Sequence, residues 1–315
     1  MNVIGIDLGG SFVKIGILNN TELSGETEIQ VEDNQSWNTL AAEIETEINT
    51  LVRKTGINQV DGIGLAFPGQ VDSVNMRVLR TTKYLDAPSF DFPGWAERNW
   101  ASPMVIENDA RLACIGEWQF GSGDGSKNML MVTLGTGIGS GVIMDNKIVY
   151  GRNFRAGNLI GHTILDYTAE PCQCGNKGCA ESLASSWSLD QIIRKDPDYR
   201  GSKYAKSGNV DFKSVFNDYR NGKAIAERSV DYCLEIWSAA ITNLVHDFDP
   251  ELVVLGGGVM KSADIIMPQI EKKVLQRSWS TADEVSFRAA KLGNQASLWG
   301  SLYLLEEKQR SEACN

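Results

Sequence analysis

A short stretch, residues 162–181, constrains this chain more than any other because it concentrates side chains that bind metal. It reads H-T-I-L-D-Y-T-A-E-P-C-Q-C-G-N-K-G-C-A-E and holds one of the two histidines and three of the six cysteines. His162, Cys172, Cys174 and Cys179 offer the imidazole and thiolate ligands that Zn²⁺ prefers in tetrahedral sites. Reduced thiols in a loop, or a disulfide, are the alternatives. Four protein ligands leave no open position for water, so the metal would be structural.

Length and charge narrow the classes of protein to consider. The 315 residues suffice for two domains with substantial cores. A net charge of −10 argues against a nucleic-acid-binding surface, so a phosphate ligand needs local backbone donors and metal. The sequence has neither a signal-peptide pattern nor the roughly 20 apolar residues of a spanning helix, and we expect a cytoplasmic protein without a membrane partner. Cys114 and Cys233 are expected in the core and Cys314 in the tail.

Three glycine-rich turns follow apolar, strand-like runs along the chain. They are D-L-G-G-S at 7–11, T-L-G-T-G-I-G at 133–139 and V-V-L-G-G-G-V at 253–259. Glycine lets the backbone approach a ligand closely, and the N–H groups of such turns can bind anions. The first two share a plan of strand, turn and strand, which indicates two related halves. Each turn alone could be an ordinary strand end, but the three in this order form a specific pattern, and the first two fit two domains that bind one triphosphate.

Two further segments carry candidate site residues. An apolar strand delivers Asn108 and Asp109 to the start of a predicted helix, where Asp109 could be the helix N-cap or a general base. Another apolar strand, within 60–72, ends in a turn at Gly69 that could expose backbone to a ligand. The spacing of apolar residues predicts helices over 37–54, 225–245 and 296–307.

Together these motifs resemble the ROK family of sugar kinases and sugar-responsive repressors, within the actin-like ATPase superfamily. The resemblance rests on G-H-x9-C-x-C-G-x2-G-C-x-E at 161–181, on E-N-D-A at 107–110 and on the three glycine turns, and it covers nearly the whole chain. It implies an α/β, two-domain actin-like ATPase (ribonuclease H-like) fold with a zinc-binding loop. The small domain would comprise residues 1–120 and 296–315, and the large domain, residues 121–295, would carry the zinc loop and a dimerisation surface.

The resemblance also implies a role for each candidate residue. Asp109 would be the general base in the ATP-dependent phosphorylation of a hexose hydroxyl, that on C6. His162 would bind both sugar and zinc, and Asp7 would orient Mg²⁺. The sugar would contact Gly69, Asn108, Asp109, His162 and Glu181. ATP would be bound at Asp7, Gly9, Gly10, Ser11, Gly135, Thr136, Gly137, Gly256 and Gly257. A homodimer is expected.

Two segments depart from the family pattern. Where the family reads A-G-E-x-G-H, this chain reads A-G-N-L-I-G-H at 156–162, with Asn158 in place of the glutamate that contacts the sugar near its anomeric end. An amide can donate where a carboxylate only accepts, so we expect a different pattern of sugar hydroxyls to be recognised. The segment 91–95 reads D-F-P-G-W where the family usually has N-L-P-G-W.

The alternatives to a hexose kinase are an N-acetylhexosamine kinase, a kinase that uses polyphosphate as donor, and a non-catalytic, sugar-sensing repressor. A repressor needs a DNA-binding helix-turn-helix ahead of the first phosphate strand, and here that strand begins at Val3. With Asp109 and all three glycine turns present, we expect a kinase.

Overall fold

The computed structural model describes residues 1–19, 22–32, 35–208, 210–279 and 285–313. The chain forms two compact units. Unit 1 consists of Met1–Gly125, Ile148–Asn158 and Lys291–Asn315, and unit 2 of Ser126–Lys147 and Leu159–Ala290. Cys314, predicted to lie in the tail, is outside the described residues.

Strands and helices alternate along the described residues. The strands are β1 (Asn2–Leu8), β2 (Phe12–Asn19), β3 (Glu22–Gln30), β4 (Gly62–Phe67), β5 (Gln70–Asp72), β6 (Arg77–Arg80), β7 (Met104–Asn108), β8 (Met129–Leu134), β9 (Ile138–Met144), β10 (Lys147–Ile148), β11 (Leu252–Gly256) and β12 (Ser286–Ala289). The helices are α1 (Trp37–Thr55), α2 (Phe92–Trp100), α3 (Asp109–Phe120), α4 (Ala180–Ala184), α5 (Leu189–Arg194), α6 (Tyr204–Ser207), α7 (Phe212–Arg220), α8 (Ala224–Phe248), α9 (Ala263–Arg277) and α10 (Ala296–Ala313).

The sheet of unit 1 has the strand order β3-β2-β1-β4-β7. Strands β1, β4 and β7 are parallel, and their register pairs Asp7 with Ala66 and Phe67 with Asn108. Because parallel strands end at the same edge of a sheet, this register brings Asp7 and Asn108 to one edge.

The helix predicted over 37–54 is confirmed as α1. It begins after the N-cap Ser36 and ends at Gly56, which has a left-handed conformation.

Helix α10 packs directly on the sheet of unit 1, and glycines make room for it. A Cβ atom at Gly64 would lie 2.2 Å from the Cβ of Ser301, and one at Gly5 would lie 3.0 Å from the Cα of Leu298. The small residues therefore set the distance between helix and sheet. The helix predicted over 296–307 is confirmed and continues to Ala313.

We expect Gly64→Ala to destabilise unit 1 because the new methyl group would overlap Ser301. Overpacking of this kind typically lowers the free energy of unfolding by about 1–3 kcal/mol. Urea denaturation measures the change, with Gly201→Ala as the control, since a Cβ at Gly201 meets no atom within 4 Å. Equal stability of the two variants would contradict the close packing of α10.

Unit 2 repeats the plan of unit 1. Its sheet has the order β10-β9-β8-β11-β12, with β8 antiparallel to β9 and parallel to β11, as β1 is to β2 and β4. The matching strand order confirms the prediction of two related halves.

The helix predicted over 225–245 is confirmed as α8. The indole of Trp237 on this helix donates a hydrogen bond to the carbonyl of Ala184 at 2.7 Å.

The observed units depart from the predicted division most at Ile148–Asn158, which belongs to unit 1 although the prediction placed residues 121–295 in one domain; residues 121–125 and 291–295 also belong to unit 1. Arg111 on α3 explains the difference. Its Nη2 atom donates to the carbonyls of Phe154 and Ala156 at 3.3 and 3.1 Å, and its guanidinium lies 5.0 Å from the ring centroid of Tyr150. The sequence gives no local sign of these contacts.

The predicted positions of two cysteines are confirmed, since Cys114 and Cys233 are both buried. Among the described residues, the model contains no helix whose length and apolar character would let it span a membrane.

Candidate active site

Asn108, Asp109 and Gly69 form one hydrogen-bonded group in unit 1. Asn108 ends β7 and is the N-cap of α3, where its side-chain oxygen accepts from the N–H of Arg111 at 3.1 Å. Its Nδ2 atom donates to the Gly69 carbonyl at 3.1 Å and to Asp109 Oδ1 at 2.8 Å. The N–H of Ala110 also donates to Asp109 Oδ1, at 2.9 Å. Because Asn108 caps the helix, the carboxylate of Asp109 is not needed for that purpose.

The turn at Gly69 requires glycine. Its φ is 137°, and a Cβ atom there would lie 2.4 Å from the carbonyl oxygen of Arg80. The absence of a side chain also leaves the Gly69 carbonyl open to Asn108. The sequence predicts that this turn could expose backbone to a ligand, and in the structure the Gly69 carbonyl accepts from Asn108 Nδ2.

Asp7 lies near the end of β1 and is electrostatically coupled to Asp109. Burial raises the pKa of Asp7 to about 6, while the Ser297 hydroxyl and the charge of Lys14 act in the opposite direction. Burial, followed by the negative charge of Asp7, raises the pKa of Asp109 to about 7. Two carboxyl groups with raised pKa values at one sheet edge are a common feature of functional sites.

A buried ion pair lies next to the end of β7, where Asn108 is located. The side chains of Glu107 and Arg111 are both 0% exposed, and Arg111 Nη1 lies 2.7 Å from Glu107 Oε1. The same oxygen accepts from the N–H of Asn108 at 2.7 Å. Removing one partner of such a buried pair typically costs about 3–5 kcal/mol. The pair therefore fixes the backbone at Asn108. In the sequence, the only indication of this pair is that Glu107 and Arg111 are four residues apart.

The first glycine turn joins β1 to β2 in unit 1. The N–H of Gly9 donates to the carbonyls of Asp7 and Phe12 at 3.2 and 3.0 Å, and a Cβ at Gly9 would lie 2.7 Å from the Phe12 oxygen. Gly10 and Ser11 are exposed at its tip. Lys83, which the sequence analysis did not single out, contacts this turn: its Nζ atom donates to the Gly10 carbonyl at 2.6 Å.

The other two glycine turns lie beside each other in unit 2. A Cβ at Gly257, whose φ is 90°, would lie 2.3 Å from the Leu134 carbonyl oxygen, so only glycine permits this approach. Gly135 donates its N–H to the Gly137 carbonyl at 3.0 Å and accepts from the N–H and hydroxyl of Ser186 at 3.0 and 2.8 Å. Thr136 is exposed at the tip, and Gly256 ends β11.

The four predicted metal ligands come together in unit 2. The ligand atoms of His162, Cys172, Cys174 and Cys179 all lie within 4.8 Å of one another. Cys172 Sγ is 3.8 Å from His162 Nδ1, and Cys174 Sγ is 3.6 Å from Cys179 Sγ. Zn–S bonds of about 2.3 Å in a tetrahedron place sulfur atoms about 3.8 Å apart, whereas a disulfide needs about 2.05 Å. The geometry fits a tetrahedral metal, and these cysteines are free.

Glu181 follows the last cysteine and connects the cysteine cluster to the second glycine turn. Its Oε2 atom accepts from the N–H of Ile138 at 2.9 Å, and a Cβ at Gly137 would lie 2.4 Å from that oxygen. The N–H of Ala180 donates to the Thr163 carbonyl at 3.0 Å, so the segments that carry Glu181 and His162 are hydrogen-bonded. The loop that carries the four candidate ligands is therefore hydrogen-bonded to the start of α4.

Asn158, the residue that departs from the family pattern, ends the segment Ile148–Asn158 of unit 1. It is 5% exposed, and neither its Oδ1 nor its Nδ2 has a hydrogen-bond partner among the described residues. A buried amide without partners is costly. Both polar atoms of this amide are enclosed by the protein and lack a partner among the described residues. The segment at 91–95 begins α2 and buries Phe92 and Trp95.

Each unit thus assembles its own share of the predicted site. Unit 1 holds Asp7, Gly9, Gly10, Ser11, Gly69, Asn108 and Asp109. Unit 2 holds Gly135, Thr136, Gly137, His162, Cys172, Cys174, Cys179, Glu181, Gly256 and Gly257.

Comparisons with known proteins place this chain in a family. The model of the ROK family matches residues 3–308. A glucokinase of Halalkalibacterium halodurans is 31% identical over 98% of this chain and 96% of its own length. A xylose repressor of Caldicellulosiruptor bescii is 25% identical over 96% of this chain and 78% of its own length. The crystal structure of a ROK family glucokinase from Streptomyces griseus in complex with glucose and AMPPNP is 25% identical, covers 98% of this chain and all of its own, and has a TM-score of 0.84. The chain therefore belongs to the ROK family and has the two-sheet α/β fold of its sugar kinases.

Proposed function

We propose that this chain, a sugar kinase of the ROK family, transfers the γ-phosphate of ATP to the C6 hydroxyl of a hexose with Asp109 as general base. The observation that carries the proposal is the environment of Asp109. Its carboxylate is held by Asn108 and Ala110 at the sheet edge that also carries Asp7. The Streptomyces griseus relative is a glucokinase solved with glucose and AMPPNP, which supports the same pair of substrates here.

The proton of the attacking hydroxyl would pass to Asp109. Its two hydrogen bonds from Asn108 Nδ2 and Ala110 N both reach Oδ1, which leaves Oδ2 to accept that proton. The sugar oxygen forms a bond to the γ-phosphorus, the bond to the bridging oxygen breaks, and ADP leaves. Such a base must be well placed rather than strongly basic, because the hydroxyl becomes acidic only as it attacks phosphorus.

We assign the sugar contacts to Gly69, Asn108, His162 and Glu181, the residues that the family resemblance implies. Glu181 uses Oε2 for the N–H of Ile138, so Oε1 is the oxygen that we assign to a sugar hydroxyl. Asn158 would contact the sugar through its unpartnered amide. An amide there suits a sugar that presents an acceptor as well as a donor.

The nucleotide would be bound by the glycine turns, because exposed backbone N–H groups can bind phosphate in a protein with a net charge of −10. Asp7 would orient Mg²⁺, which, when bound, neutralises charge on the phosphate oxygens. The cluster of His162 and three cysteines would hold a structural Zn²⁺. Its contribution would be to fix His162 and Glu181 rather than to take part in phosphoryl transfer.

The pH dependence of kcat/KM for the sugar tests the base. Burial and the charge of Asp7 raise the pKa of Asp109 to about 7, and only the ionised carboxylate can accept a proton. We therefore expect kcat/KM to be constant above about pH 8 and to fall about tenfold per unit well below pH 7. The fall of kcat/KM at low pH reports the titration of Asp7 and Asp109 as a coupled pair rather than that of Asp109 alone. Quenched assays with direct detection of the sugar phosphate avoid the pH dependence of coupling enzymes. A profile that stays flat down to pH 5.5 would contradict the assignment of Asp109.

The identity of the sugar and donor is tested by ADP release across a panel of hexoses and N-acetylhexosamines, with polyphosphate as a second donor. Turnover with a hexose and ATP supports the proposal, and preference for an N-acetylhexosamine or for polyphosphate would replace it with that alternative. The 6-deoxy analogue of the best sugar tests the position, since it should bind but not react. Reaction of that analogue would exclude C6.

A non-catalytic sugar sensor is the second candidate, because the Caldicellulosiruptor bescii relative is a xylose repressor. The sensor needs sugar binding without phosphoryl transfer. Sugar binding, measured by tryptophan fluorescence, without turnover of any donor would favour the sensor.

A homodimer, which the family resemblance predicts, is tested by light scattering of the purified protein.

A further inference from the structure

Lys83 contacts the glycine turn between β1 and β2 from the side of its carbonyl groups. Its Nζ atom donates to the Gly10 carbonyl at 2.6 Å and lies 3.5 Å from the Gly9 carbonyl oxygen. The side chain is partly buried, and Nζ lies 5.3 Å from the ring centroid of Tyr84. A single ammonium group is thus shared by two successive peptide groups of a turn that would bind phosphate.

This contact determines where the N–H groups of the turn point. In a trans peptide the C=O and N–H bonds are directed oppositely, and the Gly9 and Gly10 carbonyls share their peptides with the N–H groups of Gly10 and Ser11. Both N–H groups therefore point away from Lys83. In the part of the chain that the structure describes, neither donates a backbone hydrogen bond, and both residues are exposed. Two successive outward N–H groups form an arrangement that binds anions.

Backbone hydrogen bonds from Gly9 to Phe12 and from Val31 to Ser11 hold the two ends of this turn, whereas the carbonyls of the two central peptides accept from Lys83. Glycine adopts both signs of φ at little cost, so a peptide between two glycines can rotate between alternative orientations. The ammonium group removes that freedom, and a carbonyl that accepts from a cation makes its own N–H a stronger donor.

The backbone of Lys83 is itself anchored. Its N–H donates to Thr81 Oγ1 at 3.2 Å, and the next residue, Tyr84, is fully buried. Three residues after Lys83, Asp86 accepts from the N–H groups of Trp37 and Asn38 at 2.8 and 3.0 Å, which fixes the segment to the start of α1. Lys83 is therefore preorganised to hold the turn before a nucleotide arrives.

We propose that Lys83 is a positioning residue for the phosphate donor: it orients the peptides of the Gly9–Ser11 turn so that their N–H groups bind the phosphate chain. The inference rests on the proposed function, since it concerns the donor site of that reaction. Lys83 acts through the turn, and its effect should appear in donor binding rather than in sugar binding.

The test compares Lys83→Met, which keeps most of the aliphatic stem, with Lys83→Arg, which keeps the charge. The control is Lys54→Met, the same change at an exposed lysine in the last turn of α1. For Lys83→Met we expect the KM for ATP to rise by about tenfold, as for the loss of one charge-assisted contact, with the KM for the sugar changed less than about twofold. Lys83→Arg should recover part of the effect, and Lys54→Met should match the wild type.

Three outcomes would overturn the inference: an unchanged KM for ATP in Lys83→Met, a parallel rise of both KM values, or a fall in melting temperature large enough to account for the loss. Failure of the proposed function is recognised separately, by the absence of turnover in the wild type. In that case calorimetry measures the binding of AMPPNP by the wild type and by Lys83→Met. Weaker binding by the variant supports the inference. Equal binding by both proteins, or no binding by the wild type, overturns it.

Discussion

The Asp109→Asn variant should lose about 10³-fold in kcat while becoming more stable than the wild type. Loss of a general base typically costs about 10²–10⁴-fold. An asparagine is isosteric with aspartate and can still accept from Asn108 and Ala110 through Oδ1, so the geometry of the site should persist. Quenched assays of sugar phosphate formation measure the loss. Asp124→Asn, the same change at an exposed carboxylate in unit 1, is the control and should keep full activity.

The gain in stability follows from the raised pKa of Asp109. The pKa of this carboxyl group is about 7 in the folded protein against an ordinary value of 3.8, so its ionisation does not oppose folding below pH 4 and opposes it progressively as the pH rises to 7. The advantage of Asp109→Asn should therefore be absent near pH 4, grow up to about pH 7 and stay constant above. At pH 8 we expect the melting temperature to rise by about 2–4 °C, which corresponds to about 1 kcal/mol because solvent partly screens this half-buried charge.

Loss of activity with a lower melting temperature at pH 8 would show that Asp109 supports the fold and would contradict the destabilising effect of its buried charge. Retention of activity in Asp109→Asn would assign the base to another group.

Removal of the metal should have the second large effect. We expect one Zn²⁺ per chain by elemental analysis. Treatment with a strong chelator should lower the melting temperature by roughly 10 °C or more, because structural zinc contributes folding free energy directly. Activity should be lost together with the metal, since the start of α4, with Glu181 beside the Gly137 turn, is fixed through the same loop. Added Zn²⁺ should restore both properties.

Cys179→Ala should reproduce the effect of the chelator without any reagent. Cys233→Ala is the matched control, because Cys233 is buried on α8 outside the cluster. The control should retain its zinc and lose at most about 1 kcal/mol through the small cavity. A wild-type protein that is active and equally stable without zinc, or a disulfide among Cys172, Cys174 and Cys179, would refute a metal site.

The local features of the site could be predicted from the sequence because their residues are close in the chain. The knuckle around Cys172, Cys174 and Cys179 and the pair Asn108-Asp109 both lie within short segments. The strand ends that carry Asp7 and Asn108 were also identifiable, since an apolar run followed by polar residues marks the edge of a parallel sheet. The prediction left open whether Asp109 caps α3, and the structure assigns the cap to Asn108.

The remaining features depend on contacts between residues that are distant in the chain. Lys83 reaches Gly10 across 73 positions, and Arg111 reaches Ala156 across 45. The sequence around Lys83 or Arg111 does not distinguish these residues from a lysine or arginine that is exposed to solvent. The predicted domain division differs from the observed units at Ile148–Asn158 for this reason, because Arg111 of α3 contacts this segment.

The central claim is that this chain transfers phosphate from ATP to a sugar, and the most direct test follows the phosphate itself. Wild-type protein, ATP, Mg²⁺ and the panel of hexoses and N-acetylhexosamines are monitored by ³¹P NMR. The account predicts the resonance of a sugar phosphate monoester that grows in step with ADP for at least one hexose and is absent with Asp109→Asn. Absence of a sugar phosphate with every sugar, in a folded protein that binds both zinc and sugar, would contradict the claim and leave a sugar sensor.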